Sequence, residues 1–326
     1  MTTDARILSA LRATGEGSVS GADLAQQLGV SRAAVWARIE ELRALGYDIE
    51  ASPHRGYRLI SVPDVLHADD LLSRLGKTRI IGRDIRVFEK TTSTNDIVEK
   101  LARDGVKEGV AVFAEAQTKG RGRLGRQWVS PARKGLWFSV LLRPKLQPQA
   151  VTQLTIAAAT ALVRAMAGVT DSPAEVKWPN DILLCGRKVA GVLTEMSAEL
   201  DSVKYVILGI GVNVNQTPGE LPAELRKPAT SLRIETGRCQ MRAELATAIL
   251  RELDQDYARI GGGQFEALAD EWEARCTTIG REVTIQVGER RLQGRAESLD
   301  SDGALLLRTQ HGHLERVVGG DVSMAR

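Results

Sequence analysis

Residues 120–128 read Gly-Arg-Gly-Arg-Leu-Gly-Arg-Gln-Trp, and three glycines among nine residues exclude both a stable helix and a regular strand. Such a segment has to be a loop carried by a scaffold built elsewhere in the chain. Glycine lets the backbone turn N–H groups toward a ligand without Cβ clashes. The planar fork of arginine matches carboxylate and phosphate oxygens, and Trp128 offers a flat face to a purine. The loop therefore suits an acidic, nucleotide-containing ligand. Taken alone it reads equally as a solvated basic loop or as a segment that binds RNA loosely.

The scaffold lies in residues 68–270. Short apolar runs at Arg86–Phe88, Gly109–Ala114 and Leu136–Leu142 predict strands, and Val203–Val214 predicts another. Alanine-rich Thr152–Met166 repeats its apolar residues at helical spacing, as does Arg242–Arg259. No GxGxxG joins a strand to a helix, so a dinucleotide-binding fold is not expected. The reading is an α+β domain with a mixed or antiparallel sheet. Residues 276–326 change character: Val283, Ile285 and Val287 alternate, and turns fall at Gly288-Glu289 and Ser301-Asp302-Gly303. Four or five short strands suit a small β-barrel that caps the site.

Residues 1–62 read as a winged helix-turn-helix. Ile7, Leu8 and Leu11 share one helical face. Ser20-Gly21-Ala22-Asp23 resembles a capping box, and Ser31 is placed to cap a third helix whose Val35, Ile39 and Leu42 turn inward. A hairpin wing follows, with its turn over Ser52–Gly56. These residues carry seven arginines and seven acidic groups, so any basic footprint must come from placement. Arg32, at the start of the third helix where recognition helices meet base edges, is the first candidate. Arg38 and Arg43 are weaker ones, and Arg55 and Arg58 in the wing suit phosphates. The bland reading is solvated arginines beside Glu40 and Glu41, or a module that only holds another protein.

A formal net charge of +3 does not by itself argue for nucleic acid. Cys185, Cys239 and Cys276 are odd in number and widely spaced, which suits neither a disulfide framework nor a zinc site. The N-terminus reads as an amphipathic helix and not a signal peptide, and no apolar run nears membrane-spanning length. A reducing cytoplasm is the expected compartment.

Further motifs flank the loop: Thr92-Ser93-Thr94-Asn95-Asp96 upstream, then Lys177-Trp178-Pro179-Asn180-Asp181, then Lys188 with Gly191, Leu193 and Glu195, and finally Gly209-Ile210-Gly211-Val212-Asn213-Val214-Asn215. In this order, over essentially the whole chain, they resemble the biotin protein ligases, of the bifunctional type that also represses the biotin operon. The resemblance implies a catalytic fold related to class II aminoacyl-tRNA synthetases and lipoate ligases, with a C-terminal SH3-like barrel. It implies that ATP and biotin form biotinyl-5′-adenylate, and that the biotinyl group passes to a lysine of the biotin carboxyl carrier protein of acetyl-CoA carboxylase. It also implies operator DNA as a partner, and a homodimer favoured by the adenylate. A non-enzymatic ligand-sensing regulator and a lipoate or octanoate ligase are the alternatives.

The chemistry requires two anions, a carboxylate and a phosphate, to meet, so fixed positive charge is needed at the phosphorus. By motif position, Ser93, Thr94, Asn95 and Gln117 suit the ureido ring of biotin, although Ser93 and Thr94 read equally as helix caps. Gly120, Arg121 and Gly122 are expected to offer backbone N–H groups, and Arg123 its guanidinium, to ligand and phosphate. Arg126 reads as a loop-holding residue and Trp128 as an adenine-side contact or a core tryptophan. Leu124 takes a place that is charged in some relatives. Lys188 is expected to touch carboxylate and α-phosphate together. Lys177, Asn180 and Asp181 are assigned to phosphates and magnesium (Mg2+), with Asp181 as metal ligand. Asn213 and Asn215 are nucleotide candidates, of which strand alternation is expected to turn one away.

Overall fold

Three helices open the chain, each started by a hydroxyl. In the computed structural model, which describes residues 1–53 and 55–324, Thr2, Ser20 and Ser31 accept backbone N–H bonds at the starts of α1 (Thr3–Ala13), α2 (Gly21–Leu28) and α3 (Arg32–Ala44). Caps of this kind contribute about 1 kcal/mol each. Gly29 ends α2 at φ 70°, where a side chain would be strained. Strands β1 (Asp48–Ser52) and β2 (Gly56–Ser61) pair as the expected wing. The wing turn includes His54, which lies outside the described residues. Ile7, Leu8, Leu11, Leu24, Val35, Ile39, Leu42 and Ile49 form one core.

Helix α4 (Ala68–Leu75), placed by the sequence at the head of the central domain, instead packs on α1. Its Asp70 is 3% exposed and pairs with Arg12 and Arg74. The first compact unit accordingly runs Met1–Lys77, past the expected boundary at 62, and the second is Thr78–Arg326.

The second unit is built on a seven-stranded sheet in the order β3-β4-β5-β9-β8-β7-β6. Its strands are β3 (Asp84–Thr91), β4 (Val110–Gln117), β5 (Gly135–Leu142), β6 (Ala174–Lys177), β7 (Asp181–Leu184), β8 (Arg187–Glu199) and β9 (Ser202–Asn213). Only β3 and β4 run parallel, so the sheet is mixed as expected. Helix α5 (Thr94–Arg103) covers β4, β5 and β9, and α6 (Thr152–Met166) packs on β6–β8. All of β5 is buried, which explains its unbroken apolar run. After a short helix α7 (Leu232–Thr236), the long α8 (Arg242–Gly261) packs on α6 beside α9 (Phe265–Glu273). Two buried polar anchors fix α8. Arg242, 0% exposed, pairs with Glu115 of β4, and Asp254 accepts the backbone N–H groups of Arg79, Ile80 and Ile81 at 2.7–2.8 Å.

The C-terminal strands are β10 (Glu282–Val287), β11 (Arg290–Leu299), β12 (Leu305–Thr309), β13 (Leu314–Val317) and β14 (Asp321–Met324). They form the five-stranded antiparallel sheet β13-β12-β11-β10-β14, within the strand number expected. Among the described residues no helix is long and apolar enough to cross a membrane. The three cysteines are free.

Candidate active site

A cavity of about 420 Å³ opens over β8 and β9, a size suited to a small organic ligand. Its floor exists because glycines sit under bulky groups. A Cβ on Gly209 would lie 2.5 Å from Asn95 Oδ1, and one on Gly211 2.5 Å from Trp128 Cε2. The glycines of the GxGxN motif therefore make room for side chains.

At one end stands a polar group. Ser93, Thr94 and Asn95 are buried at the start of α5. Thr94 donates its N–H to Gln117 Oε1 at 2.8 Å, and its hydroxyl lies 2.7 Å from Ser139 Oγ. Asn95 donates to Glu195 Oε2 at 2.6 Å, and Gln117 donates to Ser130 Oγ at 2.9 Å. Neither Ser93 nor Thr94 makes the capping bond weighed from sequence: Ser93 stands at the N-cap with no side-chain bond to the helix. Sequence reasoning missed Ser139, although one hydroxyl inside the apolar run of β5 was a visible signal.

The glycine-arginine loop is a narrow hairpin. Trp128 N–H donates to Gly120 O at 2.9 Å and Gly122 N–H to Arg126 O at 2.7 Å. The Gly122 N–H is thus committed within the loop, which corrects its expected gift to a ligand. Gly120 is required by packing instead, since a Cβ there would lie 2.4 Å from Trp128 O. Leu124 is 67% exposed at φ 55°, a left-handed conformation costing a non-glycine residue about 1 kcal/mol or more.

The loop arginines are held by distant partners. Arg121 pairs with Asp96 and, at 3.1 Å, with Glu195. Burial works against its charge, but the two carboxylates hold its pKa above the ordinary value. Arg123 donates to Asn180 Oδ1 at 3.2 Å and reaches Gly320 O at 3.5 Å. Burial draws its pKa down, opposed by Asp181 and Asp321. Arg126 pairs with Asp321 on β14, so the C-terminal sheet meets the loop.

Lys188 follows a two-residue turn, Cys185 and Gly186, at φ 51° and 73°, the left-handed pair a tight hairpin demands. Its Nζ lies 2.5 Å from Asp181 Oδ1 and 5.3 Å from the Trp128 ring centroid. Asn180 is pinned by its Nδ2 bond to Val192 O at 2.6 Å. Trp178 is 1% exposed, the Trp178–Pro179 peptide is cis, and Trp178, Pro179 and Asn180 make the turn between β6 and β7. Lys177 also lines the cavity.

Asn213 lines the far end of the cavity; Asn215 does not. Asn215 is instead locked to the backbone of Gln240 by two bonds of 2.9 Å. Strand alternation is not what separates them, because residues two apart share a face. Strand β9 ends at Asn213, and the chain turns away beyond it. Gln216, Glu220, Leu221 and Asp321 also line the cavity and were not anticipated.

In the first unit, Arg38 pairs with Glu41 and Asp4, Arg58 with Glu50, and Arg43 with Glu40 and the Ile49 carbonyl. Arg32 and Arg55 are exposed and have no carboxylate partner among the described residues. Trp36, 57% exposed one turn after Arg32, shares its helix face and was overlooked.

Three domain families match the chain: the biotin/lipoate A/B protein ligase family over residues 87–213, an HTH domain over 4–58, and the biotin protein ligase C terminal domain over 278–324. The chain is 38% identical over 306 residues to the bifunctional ligase/repressor BirA of Bacillus subtilis (strain 168), covering 94% of each. With the bifunctional ligase/repressor BirA of Escherichia coli (strain K12) it shares 32% over 318 residues, 97% of this chain and 96% of that one. The solved biotin protein ligase from Aquifex aeolicus in complex with biotin and ATP matches with a TM-score of 0.64 and 32% identity, covering 75% of this chain and 99% of the other.

Proposed function

This chain belongs to the biotin protein ligases of the bifunctional ligase/repressor kind, and from that premise we propose how its own residues do both jobs. The enzyme activates biotin with ATP to biotinyl-5′-adenylate and transfers the biotinyl group to a lysine of biotin carboxyl carrier protein. The winged helix binds the operator of a biotin operon in the cytoplasm. The match of residues 278–324 to the biotin protein ligase C terminal domain supports biotin over lipoate as substrate.

The observation that carries the ligase reading is the order of groups along β9. Gly209 meets the polar cluster of Asn95, Gly211 lies under Trp128, and Asn213 follows. Residues two apart share a face, spaced about 6.6 Å. The cavity therefore runs from a group of donors and acceptors, through cationic Lys188 and Arg123, to an amide end. Ser93, Thr94, Asn95 and Gln117 take the ureido ring, the cations take the carboxylate and α-phosphate, and Asn213 takes the nucleotide.

In the first step a biotin carboxylate oxygen attacks the α-phosphorus; the new P–O bond forms as the bond to the pyrophosphate oxygen breaks. Lys188 exchanges Asp181 for the two reacting oxyanions, a role that suits a compact ammonium with three donors. Arg123 holds the loop and screens the phosphate. In the second step the acceptor amine attacks the acyl carbon, AMP leaves, and the amine loses a proton. Lys177 and Asn180 serve the outer phosphates.

Magnesium fits this wall through Asp181, because the ion binds through one or two carboxylates and substrate phosphates. Among the described residues no three His, Cys, Asp or Glu side chains gather into a cage, which suits an ion arriving with the triphosphate. When bound, it neutralises phosphate charge.

For the repressor, Arg32 and Trp36 on the exposed face of α3 read base edges, and Arg55 reaches phosphate. Dimerisation uses the outer part of β8. That strand pairs with β7 only as far as Gly191, whereas its pairing with β9 continues to Glu199. The free edge is flanked by exposed Met196 and Leu200, and unpaired edges template pairing between chains. Mass spectrometry of the protein with biotin, ATP and magnesium tests the ligase: biotinyl-adenylate should appear, and its absence would refute the reading.

A further inference from the structure

Glu195 lies on β8 two residues past Leu193 and four past Gly191, and residues two apart share a strand face. Gly191 and Leu193 line the cavity, as do Asn95 and Arg121; Glu195 is not one of the lining residues. Its carboxylate instead serves two side chains that are. Oε2 accepts Asn95 Nδ2 at 2.6 Å and Arg121 Nη2 at 3.1 Å. Asn95 belongs to α5 and Arg121 to the glycine-arginine loop, so a single oxygen ties the polar end of the cavity to the loop.

A carboxylate paired with an arginine only accepts, and this sets the direction of the bonds around it. The Asn95 amide turns Nδ2 to Glu195 and Oδ1 to Ser139, whose hydroxyl donates to it. Ser139 spends its one hydrogen there, so in the 2.7 Å contact with Thr94 the hydrogen comes from the Thr94 hydroxyl. The hydrogens of Thr94, Ser139 and Asn95 thus point in series toward Glu195. Without the carboxylate the Asn95 amide is free to turn over and offer donors where it now offers an oxygen. The two bonds differ in weight. Asn95 is 4% exposed, whereas the side chains of Arg121 and Glu195 are 39% and 37% exposed, so water screens the ion pair more than the amide bond.

We propose that Glu195 is a positioning residue of the ligase: it orients the Asn95 amide for biotin and holds Arg121, so that the biotin end of the cavity and the loop form one unit. The proposal rests on the ligase reading above. Glu195 touches neither biotin nor ATP and acts only through these two side chains.

The test uses the full-length protein, with biotin affinity read by calorimetry and loss of preformed biotinyl-adenylate followed by mass spectrometry after rapid gel filtration. Glu195→Leu removes the acceptor, and its biotin Kd should rise about tenfold, the weight of a charged hydrogen bond to a buried amide. Glu195→Gln keeps the length and one oxygen but loses the charge. It should hold the biotin Kd within about threefold of wild type, while adenylate release quickens about threefold, as for a part-exposed ion pair. In Arg121→Ala, adding Glu195→Gln should change release no further, because a residue that acts through another is not additive with it. A wild-type biotin Kd in Glu195→Leu overturns the proposal. So does a further threefold gain in release when Glu195→Gln is added to Arg121→Ala. If Glu195→Leu does not fold, the cycle of Glu195→Gln with Arg121→Ala decides alone. A wild-type protein that forms no adenylate from biotin and ATP overturns the ligase reading itself, and this proposal with it.

Discussion

Arg38 and Arg43 of the winged helix and Arg121 and Arg126 of the glycine loop are paired with carboxylates, but at different ranges. In the first unit Arg38 meets Glu41 and Arg43 meets Glu40, three residues away on the same exposed helix. In the loop Arg121 meets Asp96 and Glu195, and Arg126 meets Asp321, across long stretches of chain. Local surface pairs are worth about 0.3–0.5 kcal/mol and mute an arginine's charge. The distant pairs tie the loop to α5, β8 and β14, elements far apart in sequence, beside one cavity. Among the described residues, Arg32 and Arg55 are exposed arginines of the first unit without a carboxylate partner, whereas in the loop ion pairs hold Arg121 and Arg126 in place.

The largest expected effect comes from breaking the cationic centre. Lys188→Ala should slow adenylate formation on the order of 10²-fold or more, with the melting temperature nearly unchanged because the side chain is part-exposed in an ion pair. Lys188→Arg should recover little, since a planar fork does not replace a point charge between two anions. Single-turnover pyrophosphate release measures both; a normal rate in the alanine variant would make Lys188 ordinary surface.

Arg123→Gly should let the adenylate escape and label lysines at random, raising nonspecific biotinylation about tenfold, since a charged hydrogen bond to the ligand is lost. Blotting of a bystander protein reads this directly, and adenylate retained as in wild type would remove Arg123 from the ligand's hold.

The contrast within the first unit is sharper than its size. Arg32→Ala should weaken operator binding by about 1–3 kcal/mol, as for a base-reading arginine. Arg43→Ala should instead lower stability, because Arg43 donates to the Ile49 carbonyl at 2.9 Å. Titration of operator DNA beside thermal melts separates the two, and equal losses of DNA affinity would break the distinction. Biotin plus ATP should tighten that binding if adenylate favours the dimer.

The smallest effect concerns pH. Glu220, at the cavity rim, pairs with Lys134 at 2.8 Å, and its pKa is lowered to about 2, first by the Lys134 bond and then by the Thr217 backbone. A depressed carboxylate contributes fully above its ordinary pKa, near 4.5, and that contribution fades as pH falls through about 2. The KM for ATP should therefore show no break from Glu220 between about pH 5 and 7. A wild-type break near 4.5 that vanishes in Glu220→Gln would show that the rim pair is open in solution.

Much of this molecule was legible before its structure. The helix at Thr152–Met166 was foreseen to the residue, and β5 and β9 within one or two, because each carries an apolar period of its own. The motif residues Ser93, Thr94, Asn95, Gln117, Arg123, Trp128, Asn180, Asp181, Lys188 and Asn213 do converge on one cavity. What escaped were groups whose meaning depends on a neighbour far away in sequence. Glu195 looks like any strand glutamate until Asn95 and Arg121 reach it, and Asp321 like any other acid until Arg126 does. Helix α4 was misplaced because its partner, α1, lies some sixty residues earlier.

By itself the sequence determined the elements, the winged helix, the mixed α+β domain, the C-terminal strands and the chemistry of the motifs. Those depend on periodicity, caps and glycine placement, which act within a few residues. Only the tertiary structure decided which N–H of the loop is spent internally, which asparagine lines the cavity, and which asparagine is locked to the backbone of Gln240. These are hydrogen-bond assignments among groups brought together by the sheet, and a local pattern carries no record of who the partner will be.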